Sequence, residues 1–313
     1  MKLLASGLAA ALLALASPAG AAEATFAVVD QSGGTLSLLP SSGGEATQID
    51  VGGAPAGIAL APDGRTLYVT DPDHGRVTAI DAVTRRITAR FPVKGQPFGA
   101  AATDEFVFLT DWTRGLVIKL DAMSGAEAGE IKVGKAPAAI VLDGSGSRAF
   151  VAAREDDAVS VVDLKEDGKA QAIKVGRAPF ALALAPDGGR LYVANVQSGD
   201  LSVIDVASRT EVKRVPIGKA PYGVAVTPDG RRIAVTLQHD GALAILDGRS
   251  LEVTGKAKIG SYPEGVAITQ DGKTAAVANW MDDTVSLVDL AAARVTRTVP
   301  AKGGPRNLVT LSE

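Results

Sequence analysis

The chain contains no cysteine. This excludes disulfides, thiolate metal sites, a nucleophilic thiol and covalent haem attachment through C-x-x-C-H. It also excludes an acylated lipoprotein cysteine, so no lipid anchor is expected at the N-terminus. Histidine is scarce: His74 and His239 are the only two, too few for a multi-histidine copper centre or a haem-binding set. There is no D-x-D-x-D-G calcium loop, and loop carboxylates such as Asp71, Asp156 and Asp282 are weaker oxygen-donor candidates. The G-x-S-x-G element of serine hydrolases has only an imitation, Gly144-Ser145-Gly146-Ser147, in a strand-to-strand turn rather than a strand-to-helix elbow. Neither a metal nor a cofactor is expected.

Charge is also modest. Lys and Arg number 32 against 35 Asp and Glu, a formal balance of −3, which argues against a generally nucleic-acid-binding surface. Residues 1–21 read as a cleaved export signal. Met1-Lys2 gives a positive start, Leu3 to Ala16 is apolar except at Ser6 and Gly7, and Ala19-Gly20-Ala21 follows Pro18 as a small-residue cleavage site. The apolar stretch is shorter than the roughly 20 residues a membrane span needs. The expected product, residues 22–313, is a periplasmic, soluble, monomeric single domain.

What is present is a repeat. Pro55, Pro97, Pro137, Pro179, Pro221, Pro263 and Pro305 are spaced by 42, 40, 42, 42, 42 and 42 residues. A period of about 40 residues holding several strand patterns marks a propeller-type array. In the unit from Pro179, Phe180–Ala185 alternates large and small, and Pro186-Asp187-Gly188 is a turn. Arg190–Ala194 is a second strand, Leu201–Asp205 a third, and Glu211–Ile217 alternates as an outer, half-exposed strand should. The third-strand aspartate recurs as Asp81, Asp121, Asp163, Asp205, Asp247 and Asp289. The short unit from Pro97 loses its two residues at the turn, where Thr103-Asp104-Glu105 stands.

The ends predict closure. Three strands precede Pro55 (Thr25–Val29, Thr35–Leu39, Glu45–Val51) and one follows Pro305 (Asn307–Leu311). Together they make a seventh four-stranded sheet with the C-terminal strand innermost. That device removes the exposed edges of an open array. The fold class is an all-β, seven-bladed β-propeller of four-stranded antiparallel blades.

Leu67-Tyr68-Val69-Thr70-Asp71, Leu191-Tyr192-Val193-Ala194-Asn195, Pro221-x-Gly-Val-Ala-Val226 and Val203-Ile204-Asp205 resemble the signature elements of YVTN-repeat β-propellers. The resemblance covers essentially the whole chain after residue 21. It is similar to YncE-like periplasmic proteins, archaeal surface-layer propellers and propellers associated with quinone-cofactor dehydrogenase systems. Those relatives differ in activity, so the resemblance implies architecture and compartment. WD40 is disfavoured, since neither Gly-His nor Trp-Asp recurs.

The resemblance implies that loops before the innermost strand and after the second strand open on one ligand face. This places Phe98, Phe180, Tyr222, Glu264 and Arg306, each just after its proline, around the central mouth. Lys135, Arg177 and Lys219 stand two residues before theirs, as a basic arc. The second-strand loops add Trp112, Arg114, His239 and Trp280. The small Ala56 and Ala138 are expected on one side of the mouth, with the large and charged residues on the other. Tyr, Trp and Arg are the types enriched in recognition surfaces. The leading expectation is a non-enzymatic binding propeller offering this face to a protein or small ligand, as an accessory of a periplasmic redox system in its most specific form. The alternatives are a lactonase- or lyase-type enzyme using Glu264, His239 and Arg306, or a single-stranded nucleic-acid binder stacking bases on Trp112 or Trp280. Net acidity disfavours the nucleic-acid reading.

Overall fold

The computed structural model describes residues 25–165 and 168–311; the expected export signal lies outside them. Seven four-stranded antiparallel sheets radiate around a central channel. Blade 1 is the composite: Thr25–Asp30, Thr35–Pro40 and Thr47–Asp50, with Pro305–Leu311 innermost. Phe26 pairs with Thr310 and Val28 with Leu308, so the two ends of the chain are joined by a strand ladder. The outer strand of this blade is shorter than the Glu45–Val51 expected. No helix of the described residues is long and apolar enough to cross a membrane.

Burial follows from the radial stacking. Second and third strands lie between two neighbouring blades, so both of their faces are covered: Phe106–Asp111 and Asp200–Asp205 are almost continuously buried. They read as apolar runs for that reason. Outer strands such as Arg86–Pro92 and Thr210–Pro216 alternate toward solvent. The core is a set of wedges between blades. Phe108 and Val117 of blade 3 meet Ile140 and Val151 of blade 4. Phe26 and Leu39 of blade 1 meet Ala276 and Leu287 of blade 7, sealing the ring.

The repeated aspartates have a structural role. Asp81 Oδ1 accepts the N–H groups of Val83 and Thr84, Asp205 that of Ser208, Asp247 those of Arg249 and Ser250, and Asp289 those of Ala291 and Ala292. Each caps the turn into its outer strand, using the side-chain-to-backbone bond that favours Asp at turn starts. These hydrogen bonds, and those of Met123 N and Ser124 N to Asp121, hold the carboxyls of Asp81, Asp121, Asp205, Asp247 and Asp289 below the usual range. Asp81 falls to about 2, with Arg65 as its strongest partner.

The prolines mark a bulge. In blade 3, Pro97 pairs with Asp111 while Ala100 pairs with Leu109, so the innermost strand carries one extra residue. The same irregularity follows Pro137, Pro179, Pro221 and Pro263. A bulge re-aims side chains that the ladder would otherwise fix. The residue after each proline leaves the ladder here and is free to turn into the channel.

Two of these bulges, after Pro97 and Pro221, and the equivalent strand entrance after Pro55 are stapled to the next blade. The Thr110 hydroxyl accepts from Gly99 N at 2.7 Å and donates to Ala138 O at 2.8 Å. Thr70 does the same with Gly57 and Phe98, and Thr236 with Gly223 and Glu264. Glycine is required beside such a threonine: a Cβ on Gly99 would stand 2.4 Å from Ala138 O. Blades 4 and 5 use alanine at both positions instead, Ala139 with Ala152 and Ala181 with Ala194.

Candidate functional site

Five post-proline residues, Phe98, Phe180, Tyr222, Glu264 and Arg306, line one cavity of about 420 Å³ at the central channel. Below them the wall is aliphatic, with Ile140, Leu182, Val224, Val266 and Val309 among its members. The expected division into a small and a large side is not what forms. Ala56 belongs to the blade between those of Arg306 and Phe98, and Arg306 Cζ lies 5.5 Å from the Phe98 ring centroid. Ala138 likewise intervenes between Phe98 and Phe180, whose rings meet edge-on at 5.8 Å. The alanines act as gaps across which larger neighbours touch.

The aromatic wall is continuous. Trp112, from the loop after blade 3's second strand, packs 5.2 Å from Phe98 and 6.3 Å from Phe180. Phe180 lies 4.0 Å from Tyr222 at a 30° interplanar angle. Such pairs are worth roughly 0.5–1.5 kcal/mol beyond area burial, which fixes the wall before any ligand arrives.

Arg306 is the hub of the polar groups. Its Nε is 3.1 Å from Glu264 Oε2, with side-chain exposures of 23% and 6% respectively. One terminal nitrogen donates to Gln31 Oε1 at 2.8 Å, and the other is 3.5 Å from the Tyr222 hydroxyl. Gln238 Nε2 donates to Glu264 Oε1 at 3.3 Å, while the buried Oε2 meets only Arg306 Nε. Burial pushes the Glu264 carboxyl up to about 7, with the Arg306 charge and hydrogen bond opposing. Burial also pushes the Tyr222 phenol up, Glu264 adding to the effect and Arg306 and Arg154 opposing it.

The other expected residues do not join this cluster. Arg114 is consumed by Asp111, Glu130 and the Lys94 carbonyl. Lys135, Arg177 and Lys219 are exposed on the rim and do not line the cavity. Their backbone N–H groups donate to Asp156, Ser198 and Asp240, so those loop polar groups brace the rim. Trp280 and His239 form a second group around Tyr262, with ring distances of 6.2 and 5.6 Å. The trio Glu264, His239 and Arg306 therefore reduces to a pair. His74 is engaged by the buried Asp71, which also pairs with Arg76. Among the described residues no three His, Asp or Glu groups come together as a metal cluster.

Gln238 was expected on the loop face beside His239, whereas Gln31 and Tyr262 were not singled out by sequence. Tyr262 had a signal: it stands immediately before its proline, where Ala136, Ala178 and Ala220 stand in other blades. All four have positive φ, 51° at Tyr262, a conformation costly for a bulky residue.

The described residues form a seven-bladed ring that carries the Arg306, Glu264 and Tyr222 cluster at the mouth of its channel. The chain belongs to the YNCE-like β-propeller family, whose profile matches residues 45–232. A profile of the cytochrome D1 haem domain matches residues 191–308. The residues of that stretch do not fit a haem, since its one histidine, His239, packs on Tyr262 and does not line the channel. No curated protein sequence matches. Among solved structures, Kuenenia stuttgartiensis hydrazine synthase is similar at 24% identity and a TM-score of 0.74, over 82% of this chain and 89% of that one. A functionally unknown Desulfotomaculum acetoxidans protein is 14% identical with a TM-score of 0.81, over 92% and 98%. A candidate 6-phosphogluconolactonase from Bacteroides fragilis is 16% identical with a TM-score of 0.81, over 95% and 100%. At such identities the likeness is one of fold.

Proposed function

We propose that this is an exported binding propeller whose ligand site is the mouth of the central channel, where it receives a small molecule or the tip of a partner. Export rests on residues 1–21. The observation that carries the site is the convergence of five large or charged residues, at a position the repeat otherwise fills with alanine, on one cavity of small-molecule size. A cavity with an apolar wall and a few convergent polar groups is the usual anatomy of such sites. Ligand-observed NMR with a fragment library tests it. Fragments that bind the wild type and are lost on Phe180→Ala support the site. A library yielding no Phe180-dependent binder overturns it.

One observation favours a second reading. Glu264 is a buried carboxyl poised near neutrality beside a guanidinium, as a general acid or base would be. A lactone hydrolase is the reaction class to try first, given the Bacteroides fragilis neighbour. Turnover of a lactone panel that vanishes in Glu264→Gln would replace the binding reading with this one.

A further inference from the structure

The polar equipment of the mouth is unbalanced. Arg306 has one carboxylate partner, Glu264. Arg154, on the short turn Arg154–Asp156, is a second guanidinium close enough for its charge to act on the Tyr222 hydroxyl. Its side chain makes no hydrogen bond or ion pair among the described residues. Arg306 is therefore the cation at the cavity wall, and Arg154, which does not line the cavity, adds positive charge from farther off. Glu264 Oε2 is buried and engaged only by the Arg306 Nε ion pair, which leaves it able to accept from a further donor. The Arg306 nitrogen nearest Tyr222 is engaged only at 3.5 Å, so it is a donor waiting for an acceptor. Phe98, Phe180 and Tyr222 line the cavity as one aromatic wall above its aliphatic floor.

We propose that the mouth recognises a planar aryl carboxylate and takes up one proton with it, held between the ligand and Glu264; the inference rests on the mouth being a ligand site. The aryl ring lies against Phe98, Phe180 and Tyr222. One ligand oxygen accepts from Arg306, and the other meets Glu264 Oε2. Two carboxylates in contact cannot both be ionised, so a proton from solvent must sit between them. The Arg306 guanidinium suits a planar anion because its donors form a rigid fork.

The groups facing Glu264 allow this. On the innermost strand of blade 6 stands Tyr222, a phenol kept neutral by burial. On the closing strand stands Arg306, and after blade 6's second strand the uncharged Gln238. The turn Trp280–Asp282 packs against Glu264's own strand, and its Asp282 is occupied by Ser261 N. Arg154 acts through Tyr222. No second carboxylate therefore competes for the proton, and the position of the Glu264 carboxyl near 7 makes uptake feasible at neutral pH.

Isothermal calorimetry with 2-naphthoate, in two pH 8 buffers of different ionisation enthalpy, tests the proposal on the full mature chain. The expected result is uptake of about one proton, with Kd rising about tenfold per pH unit above 7. Glu264→Gln should bind with no proton uptake and a flat pH profile. Arg306→Gln should weaken binding at least about tenfold. If that variant unfolds, Glu264→Gln/Arg306→Gln, which removes the buried pair together, must lose the preference for 2-naphthoate over the neutral 2-naphthamide. Binding without proton exchange, or equal binding of naphthoate and naphthamide to the wild type, overturns the inference. If Phe180-dependent fragments exist but are neutral or cationic, the carboxylate inference falls and the ligand site stands. If none exist, both fall.

Discussion

Two columns of the repeat invite comparison. The third-strand aspartates are nearly the same residue in the same role: five of them, Asp81, Asp121, Asp205, Asp247 and Asp289, accept turn N–H groups and are held below the usual carboxylate range. The post-proline column has Ala56, Phe98, Ala138, Phe180, Tyr222, Glu264 and Arg306. Both columns sit on equivalent backbone, so backbone geometry cannot explain why one is uniform and the other is not. A chain that repeats itself supplies its own control. Uniform positions are held by what every blade needs, and varied ones by what the assembled ring does.

The comparison breaks most sharply at the bulges. Gly99→Ala should destabilise by about 1–3 kcal/mol through overpacking against Ala138 O. Gly144→Ala, where a Cβ meets nothing within 4 Å, should stay within about 0.5 kcal/mol. Urea midpoints measure both. Adding Thr110→Ala to Gly99→Ala should recover part of the loss, because it recreates the alanine pair of blades 4 and 5; strict additivity would refute the staple.

A second experiment uses pH. Asp205 has a folded pKa below its unfolded value, so its contribution is present above about pH 4 and is lost as pH falls through the folded value. Asp205→Asn should therefore cost most near pH 5 and least near pH 2. Glu264 is opposite. Its pKa is raised, so its contribution is full below the unfolded value of about 4.3 and is lost as pH rises through about 7. Glu264→Gln should gain on the wild type between pH 4.5 and 8 in thermal melts. The same pH slope for both would erase the distinction between the columns.

The smallest effect is expected on the rim. Arg177→Ala and Lys219→Ala remove exposed side chains outside the cavity and should change stability by less than about 0.5 kcal/mol. A large loss would show that the basic arc is structural.

The fold was legible because one proline per blade, at nearly constant spacing, dates every strand, and because strands covered on both faces are apolar throughout. The five mouth residues were legible as departures from the small residue of their column. What stayed hidden depends on side-chain direction. Lys135, Arg177 and Lys219 precede their prolines by two residues, which leaves them outside the ring. Trp112 and Trp280 occupy equivalent loops, yet one reaches Phe98 and Phe180 while the other turns to Tyr262. Gln31 carries no signal of its own, since it matters only through Arg306.

Arg306 rides on Pro305–Leu311, the strand that is last in the chain and pairs with the first described strand. Its partners Gln31, Tyr222, Glu264 and Phe98 come from four different blades. Until that strand docks, Glu264 has no counter-ion and the aromatic wall has no lid. A ligand of the mouth can thus bind only after the circle is complete, and by mass action its binding favours the closed ring over any half-docked state. Occupancy of the axis would be a latch on the seam, and a molecule filling the mouth would slow the release of the C-terminal strand many ångströms down the channel from where it sits.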